Sequence, residues 1–146
     1  MRVDIEPYAR ADLDAVASVW LSGWRSTGLP VSGLASHDEL RSRLSAEVER
    51  GWSVHVAKAG SRIVGFVALH DDWLMQLFVA PDAQNRGVGK ALLDLAKARR
   101  PRGFHLDTAA EGRAVRFYER EGLTRGEVTT HPRFGHAIVQ YDWLPG

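Results

Sequence analysis

An α/β fold, with a mixed sheet covered by helices, is what this sequence predicts, and three observations carry the expectation. Apolar residues recur at helical spacing in some segments and alternate or run continuously in others, so both element types are present. They interleave in the order β-α-α-β-β-β-α-β-α-β-β, which places helices on the faces of one sheet. A strand-loop-helix crossover lies mid-chain, which makes the sheet a mixed one. The length of 146 residues suits one domain over 1–146, since folding units run to about 100–200 residues.

Val3, Ile5 and Tyr8 alternate with charged residues and mark a first strand. Asp12 opens a helix whose Leu13, Val16, Trp20 and Trp24 follow the helical period, and the stretch from Ser26 to Pro30 breaks it. A second helix near Asp38–Arg50 sets Leu40, Leu44 and Val48 on one stripe and stops at Gly51. Trp52–Ala59 and Arg62–Leu69 join at Gly60, which supplies the positive φ of a hairpin turn. After the turn His70-Asp71-Asp72 comes the strand Trp73–Val79, with Pro81 ending the ladder. A third helix begins near Gly87, turns Val88, Ala91, Leu92 and Leu95 inward, and ends before Pro101. Phe104–Asp107 reads as a short strand, Glu111–Glu121 as a fourth helix, and Thr124–Thr129 with His136–Trp143 as the last two strands.

Composition removes several classes of function. Nineteen basic residues oppose 18 acidic ones, so no global field drives nucleic-acid or membrane binding; only Arg99, Arg100 and Arg102 form a local basic cluster. No cysteine is present, which excludes disulfides, thiolate nucleophiles and Cys-based metal sites. Trp73–Ala80 is the longest uncharged apolar run of note, far short of the about 20 residues a spanning helix needs. The N-terminal charges lie where a signal peptide needs an apolar core. These features predict a cytoplasmic protein.

The loop Gln84-Asn85-Arg86-Gly87-Val88-Gly89-Lys90 sits between a strand end and a helix start, where unpaired N–H groups and the helix dipole favour a phosphate. Gly87 and Gly89 let an anion approach the main chain, and Arg86 and Lys90 add charge. A Walker A reading fails because Gln84 stands for its first glycine and Ala91 for its hydroxyl residue; a dinucleotide fingerprint fails at Leu92. What fits is Q-x-x-G-x-G from Gln84 to Gly89, after L-F-V-A-P. Alone, such a loop is also compatible with a plain tight turn.

Further on lies Ala114-Val115-Arg116-Phe117-Tyr118-Glu119-Arg120-Glu121-Gly122-Leu123. Together, the two motifs resemble the GNAT superfamily of N-acetyltransferases, with Q/R-x-x-G-x-G/A after the fourth strand and A-x-x-F/L-Y-E-x-x-G-F/L in the fourth helix. The resemblance implies a central, mostly antiparallel sheet of about seven strands with four flanking helices, and an acetyl-CoA-dependent N-acetyltransferase needing no metal. It implies that the amides of Gln84, Asn85, Arg86, Gly87, Val88, Gly89 and Lys90 hold the CoA diphosphate. Leu77, Phe78 and Val79 would line the pantetheine arm where the fourth and fifth strands splay. The N–H near Val79 would stabilise the oxyanion of the tetrahedral intermediate, and Tyr118 would protonate the leaving thiolate.

Two departures from the family pattern stand out. Many members have Asn where this chain has Glu111, which bears on the cofactor contact there, and the strand Trp73–Val79 carries no carboxylate to act as base. The nearest candidate is Asp72, with His70 and Asp71 beside it, and a chain of water molecules is the alternative. The resemblance places the acceptor amine, from a small molecule or peptide, opposite CoA, near Trp24, Arg25, His70, Trp73, Arg133 and Trp143. Arg25 or Arg133 would bind an acceptor carboxylate. His131 and His136 flank a hairpin loop and read as surface residues. The rival is a non-catalytic CoA-binding or partner-binding module of the same fold. Action on charged tRNA or ribosomal protein is a further reading, which the near-neutral charge disfavours. A homodimer through the last strands is a further expectation from the family.

Overall fold

The computed structural model describes residues 1–29 and 35–145. Pro30, at the end of the break predicted after the first helix, lies outside them. The elements run β1 (Asp4–Pro7), α1 (Leu13–Arg25), α2 (His37–Glu49), β2 (Ser53–Ala59), β3 (Arg62–His70), β4 (Trp73–Val79), α3 (Val88–Arg99), β5 (Phe104–Ala109), α4 (Ala114–Arg120), β6 (Thr124–Thr130) and β7 (Ala137–Trp143). Short 3-10 turns precede α1 and follow β4. The seven strands form one sheet in the order β1-β2-β3-β4-β5-β7-β6. Every neighbouring pair is antiparallel except β4 and β5. The predicted order and mixed sheet are therefore what forms.

Local chemistry sets the helix starts. The Asp12 carboxylate accepts the Ala9 N–H at 2.9 Å ahead of α1. Ser36 caps α2 by accepting the Glu39 N–H at 3.2 Å. α1 buries Val16, Ala17, Val19 and Trp20, with the Trp20 ring 5.9 Å from Phe66 and 6.1 Å from Trp52. α3 lies on the opposite face, burying Val88, Leu92, Leu93 and Ala96. A Cβ at Gly65 of β3 would stand 3.0 Å from Leu92 and 3.1 Å from Val88, so only glycine admits α3 this close to the sheet. Among the described residues no helix is long and apolar enough to cross a membrane.

One prediction was too long. The fourth helix begins at Ala114 rather than Glu111. The Ala110 N–H is spent on the Ala137 carbonyl at 3.0 Å and the Gly112 N–H turns back to Ala109 at 3.0 Å. Those bonds close a turn over 110–113, and glycine there would in any case cost a helix about 1 kcal/mol.

The feature that positions a site is the junction of β4 and β5. Their ladder has one register pair, Trp73 with His105, backed by the His105 N–H on the Asp72 carbonyl at 2.8 Å. β5, by contrast, pairs with β7 along its whole length, from Phe104–Trp143 to Ala109–Ile138. β4 therefore leaves β5 immediately after the bridge. Burial shows the same thing: β4 is the middle strand of the sheet, yet Met75 to Val79 are only half-buried and Leu74 alone is fully so.

Candidate active site

The open end of the wedge between β4 and β5 is lined by main chain. The Ala80 N–H bonds the Val64 carbonyl at 2.8 Å, so by strand alternation the Leu77 and Val79 N–H groups turn toward the β5 side. The Val79 carbonyl accepts from Gln84 Nε2 at 3.1 Å. Phe78 turns to the other side, 6.3 Å from Phe66 beneath α1.

Past Gln84, the loop is arranged around unsatisfied donors. Among the described residues, the N–H groups of Asn85, Arg86, Gly87, Val88, Gly89 and Lys90 make no hydrogen bond, and the first helical bond of α3 is Ala91 N–H to Gly87 at 3.0 Å. Positive φ values at Asn85 (62°) and Gly87 (84°) produce the run. At Gly87 a Cβ would meet nothing, so its requirement is conformational and the approach to its backbone is open. No acidic residue stands in the first turn of α3. Lys90 is ion-paired with Asp94 at 3.2 Å and Glu121 at 3.3 Å, whereas Arg86 is exposed. A run of free amides at a helix start is suited to an anion.

Gln84 also belongs to a knot that sequence reasoning missed. Its Nε2 reaches Ser26 Oγ at 3.2 Å and its Oε1 accepts from Arg113 at 2.8 Å. Arg113 in turn donates to the Ser26 carbonyl at 3.3 Å. This ties the end of α1, the loop and the start of α4 together. Ser26 and Arg113 are 87 residues apart in sequence, and no local pattern signals a contact of that span.

α4 brings Phe117 and Tyr118 to the wedge. The Phe117 ring stands 3.5 Å from where a Gly89 Cβ would be, so α4 abuts the amide loop. Tyr118 is buried, 5.2 Å from the Phe117 ring and 6.0 Å from Tyr141. Its hydroxyl makes no hydrogen bond among the described residues, and burial pushes the phenol pKa well above 10.0. Glu111 lies exposed in the turn before α4.

On the α1 face the predicted residues separate. Asp72 stands at the closed end of the wedge with its carboxylate 3.5 Å from His105 Nε2; the other ring nitrogen of His105 meets Asp142 at 2.6 Å. The Trp73 ring packs against His105 at 5.3 Å in a tilted arrangement. His70 sits beside Asp71 at 3.8 Å. Arg25 donates to the Ala35 carbonyl at 3.0 Å and so ties down the chain leading into α2. Trp24 and Arg133 do share a cleft, of about 580 Å³, with Leu40, Arg43 and Phe134. Residues 30–34 of the loop expected beside it lie outside the described residues.

His131 and His136, expected as surface residues, are each half-exposed and pack on one another. Their rings stack at 5.0 Å, and His131 also stacks on Phe134 at 5.0 Å. His136 Nδ1 is buried without a partner among the described residues. Phe134 reaches Trp24 at 5.5 Å, so the β6–β7 loop folds onto the end of α1. Neither Arg43 nor Asp107, both near this loop, was marked by any sequence motif.

A comparison with curated protein sequences gave no match. Solved structures of similar fold include a GCN5-related N-acetyltransferase from Rhodopseudomonas palustris, 21% identical over 99% of this chain and 96% of that one, with a TM-score of 0.77. The PaiA N-acetyltransferase of Thermoplasma acidophilum, solved with coenzyme A, is 18% identical over 98% and 100%, TM-score 0.73. The ribosomal-protein-S18-alanine N-acetyltransferase of Escherichia coli is 16% identical over 98% and 94%, TM-score 0.73. At these identities the likeness is one of fold. The sequence model of the acetyltransferase (GNAT) domain matches residues 50–124, a span that runs from β2 through the amide loop to Tyr118 and the end of α4. The chain belongs to the GNAT acetyltransferase family.

Proposed function

We propose that this protein moves the acetyl group of acetyl-CoA to a primary amine of a small molecule or peptide by direct attack in a ternary complex. The observation that carries the reading is the wedge itself: a parallel strand pair joined by one bridge, with six consecutive free amides at its open end. That geometry fits a diphosphate followed by an extended amide-bearing arm, because the amides of 85–90 answer the anion and the β4 edge answers the arm as an added strand would. Bound there, acetyl-CoA supplies an activated acyl group as a thioester.

This chain's own groups then have separable tasks. The Val79 N–H, turned into the wedge, donates to the thioester oxygen as negative charge develops on it. The Leu77, Phe78 and Val79 segment aligns the arm. As the new C–N bond forms and the C–S bond breaks, Tyr118 gives its proton to the departing sulfur. Burial opposes the phenolate, but it opposes a thiolate in the same site equally, and the transfer depends on the difference. The proton lost by the amine leaves toward the carboxylate floor of the α1 face, where Asp72, His105 and Asp142 stand in line.

Titration calorimetry with acetyl-CoA tests this, using Gly87→Glu and Arg86→Glu as controls; the second avoids the strain that any side chain meets at a φ of 84°. Binding by the native chain, lost in folded variants, and thiol release when amines are added are the expected results. Failure of a folded native chain to bind acetyl-CoA overturns the proposal. Binding without transfer to any amine would leave the CoA-binding module instead.

A further inference from the structure

The Val79 carbonyl ends β4, and it opens on the same side as the Val79 N–H, into the wedge, because the two groups of one extended residue share a direction. There it accepts from Gln84 Nε2 at 3.1 Å. A short 3-10 turn over Pro81–Ala83 follows the strand, closed by the Ala83 N–H on the Ala80 carbonyl at 2.8 Å. That turn brings the Gln84 side chain back over the end of the strand. Gln84 Nε2 also donates to Ser26 Oγ at 3.2 Å, while the Ser26 hydroxyl gives its own proton to the Gly23 carbonyl at 2.7 Å. At the other end of the carboxamide, Oε1 accepts from Arg113 at 2.8 Å. The two ends cannot be exchanged, since a guanidinium has no acceptor to offer and a carbonyl no donor.

Arg113 makes no ion pair among the described residues. Its donors go instead to neutral oxygens, Gln84 Oε1 and the Ser26 carbonyl at 3.3 Å. The side chain is exposed, so packing is a small part of what it does. A charged donor on Oε1 draws electrons through the conjugated carboxamide and strengthens the Nε2 donors at its far end. The strengthened donor faces the Val79 carbonyl. Left bare, that carbonyl would present its lone pairs to the space in which the Val79 N–H meets the thioester oxygen, and would repel the negative charge growing there. Capped, it repels that charge less, and the end of the strand is held in place.

We propose that Gln84 and Arg113 are positioning residues for the transfer step: Gln84 caps the Val79 carbonyl so that the Val79 N–H alone answers the thioester oxygen, and Arg113 orients and polarises Gln84. The inference rests on the acetyl-transfer reading and adds to it two side chains that act on the strand and not on the reacting atoms. Gln84 thereby parts from the rest of its loop. Residues 85–90 offer free main-chain amides to a diphosphate, whereas the Gln84 N–H is turned to the Pro81 carbonyl at 3.4 Å and its side chain serves β4. Arg113, in the turn before α4, carries a task that falls outside both sequence motifs.

Gln84→Met, Arg113→Met and the double variant test this, with Arg113→Lys as the conservative replacement. In the cofactor-free protein, NMR of the side-chain amides reads the contact directly: Arg113→Met should move the Gln84 Nε2 resonances and lower their protection from exchange, and Arg113→Lys should restore part of both. Thiol release, with an amine that the native chain acetylates, should show kcat lowered about tenfold in each single Met variant and partly recovered in Arg113→Lys. Calorimetry should give a Kd for acetyl-CoA within about threefold of native in the same variants. The double variant should be within about twofold of Gln84→Met, because both residues act through one carbonyl. Unmoved Gln84 resonances in Arg113→Met overturn the inference, as does a kcat within about twofold of native or a double variant whose losses multiply. Loss of acetyl-CoA affinity and Tm in step with kcat also overturns it, since that marks a purely structural tie. A folded native chain that binds no acetyl-CoA, or acetylates no amine, is a different result: it defeats the acetyl-transfer reading itself, and this inference with it.

Discussion

Replacing Tyr118 by phenylalanine separates a catalytic hydroxyl from a structural ring. The ring is buried against Phe117 and Tyr141, and phenylalanine keeps all of that surface. The hydroxyl makes no hydrogen bond among the described residues and is not a buried unpaired atom, so its removal breaks no internal bond. Removing it should therefore leave the folded protein about as stable as before, with Tm essentially unchanged. Turnover should nonetheless drop by tenfold or more, at least about 1.4 kcal/mol of transition-state stabilisation. Thiol release reads the rate, calorimetry shows whether acetyl-CoA affinity is kept, and a thermal melt gives the stability. Turnover within twofold of native would refute the proton-donor role. A lowered Tm would refute the claim that the hydroxyl is unpaired. Since burial holds the phenol above 10.0, the donor stays protonated throughout the neutral range, and Tyr118 should contribute no alkaline fall in rate below about pH 10.

Two further outcomes follow from the frame around the site. Gly103 has a φ of 109°, and a Cβ there would lie 2.5 Å from the Trp143 carbonyl oxygen, so Gly103→Ala should cost about 2 kcal/mol or more in urea unfolding. Asp142 is held below its ordinary 3.8 by hydrogen bonds from Gln140 and His105. A depressed carboxylate stabilises the fold above its unfolded pKa and loses that contribution as pH falls through the folded value. Asp142→Asn should thus flatten the loss of Tm below about pH 4, and an unchanged acid limb would count against the bond.

The fold was legible because its signals are local. Periodicity located α1 to α4, and a glycine or proline marked most of the ends, as with Gly60 between β2 and β3. The amide loop could be read because strand, loop and helix follow one another directly. The fourth helix was overextended because the turn at 110–113 is fixed partly by a bond from Ala110 to Ala137 on a distant strand. The acceptor side was hardest for the same reason. Trp24 and Arg133 do line one cleft, but the Ser26–Gln84–Arg113 knot depends on which chain segments meet. Arg25 was expected at an acceptor carboxylate, but its guanidinium donates to the Ala35 carbonyl.

The single bridge between β4 and β5 also makes the sheet mechanically two-part. One panel holds β1 to β4 and the other β5 to β7, each with its own continuous ladders. Among the described residues, only the Trp73–His105 pair and the His105 amide join their backbones within the sheet. Rocking one panel against the other about that point breaks no further rung, so the gap can widen or narrow at little cost in backbone hydrogen bonds. The stiffness of the hinge is then left to side chains, and the contacts gathered at it are Asp72, Trp73, His105 and Asp142.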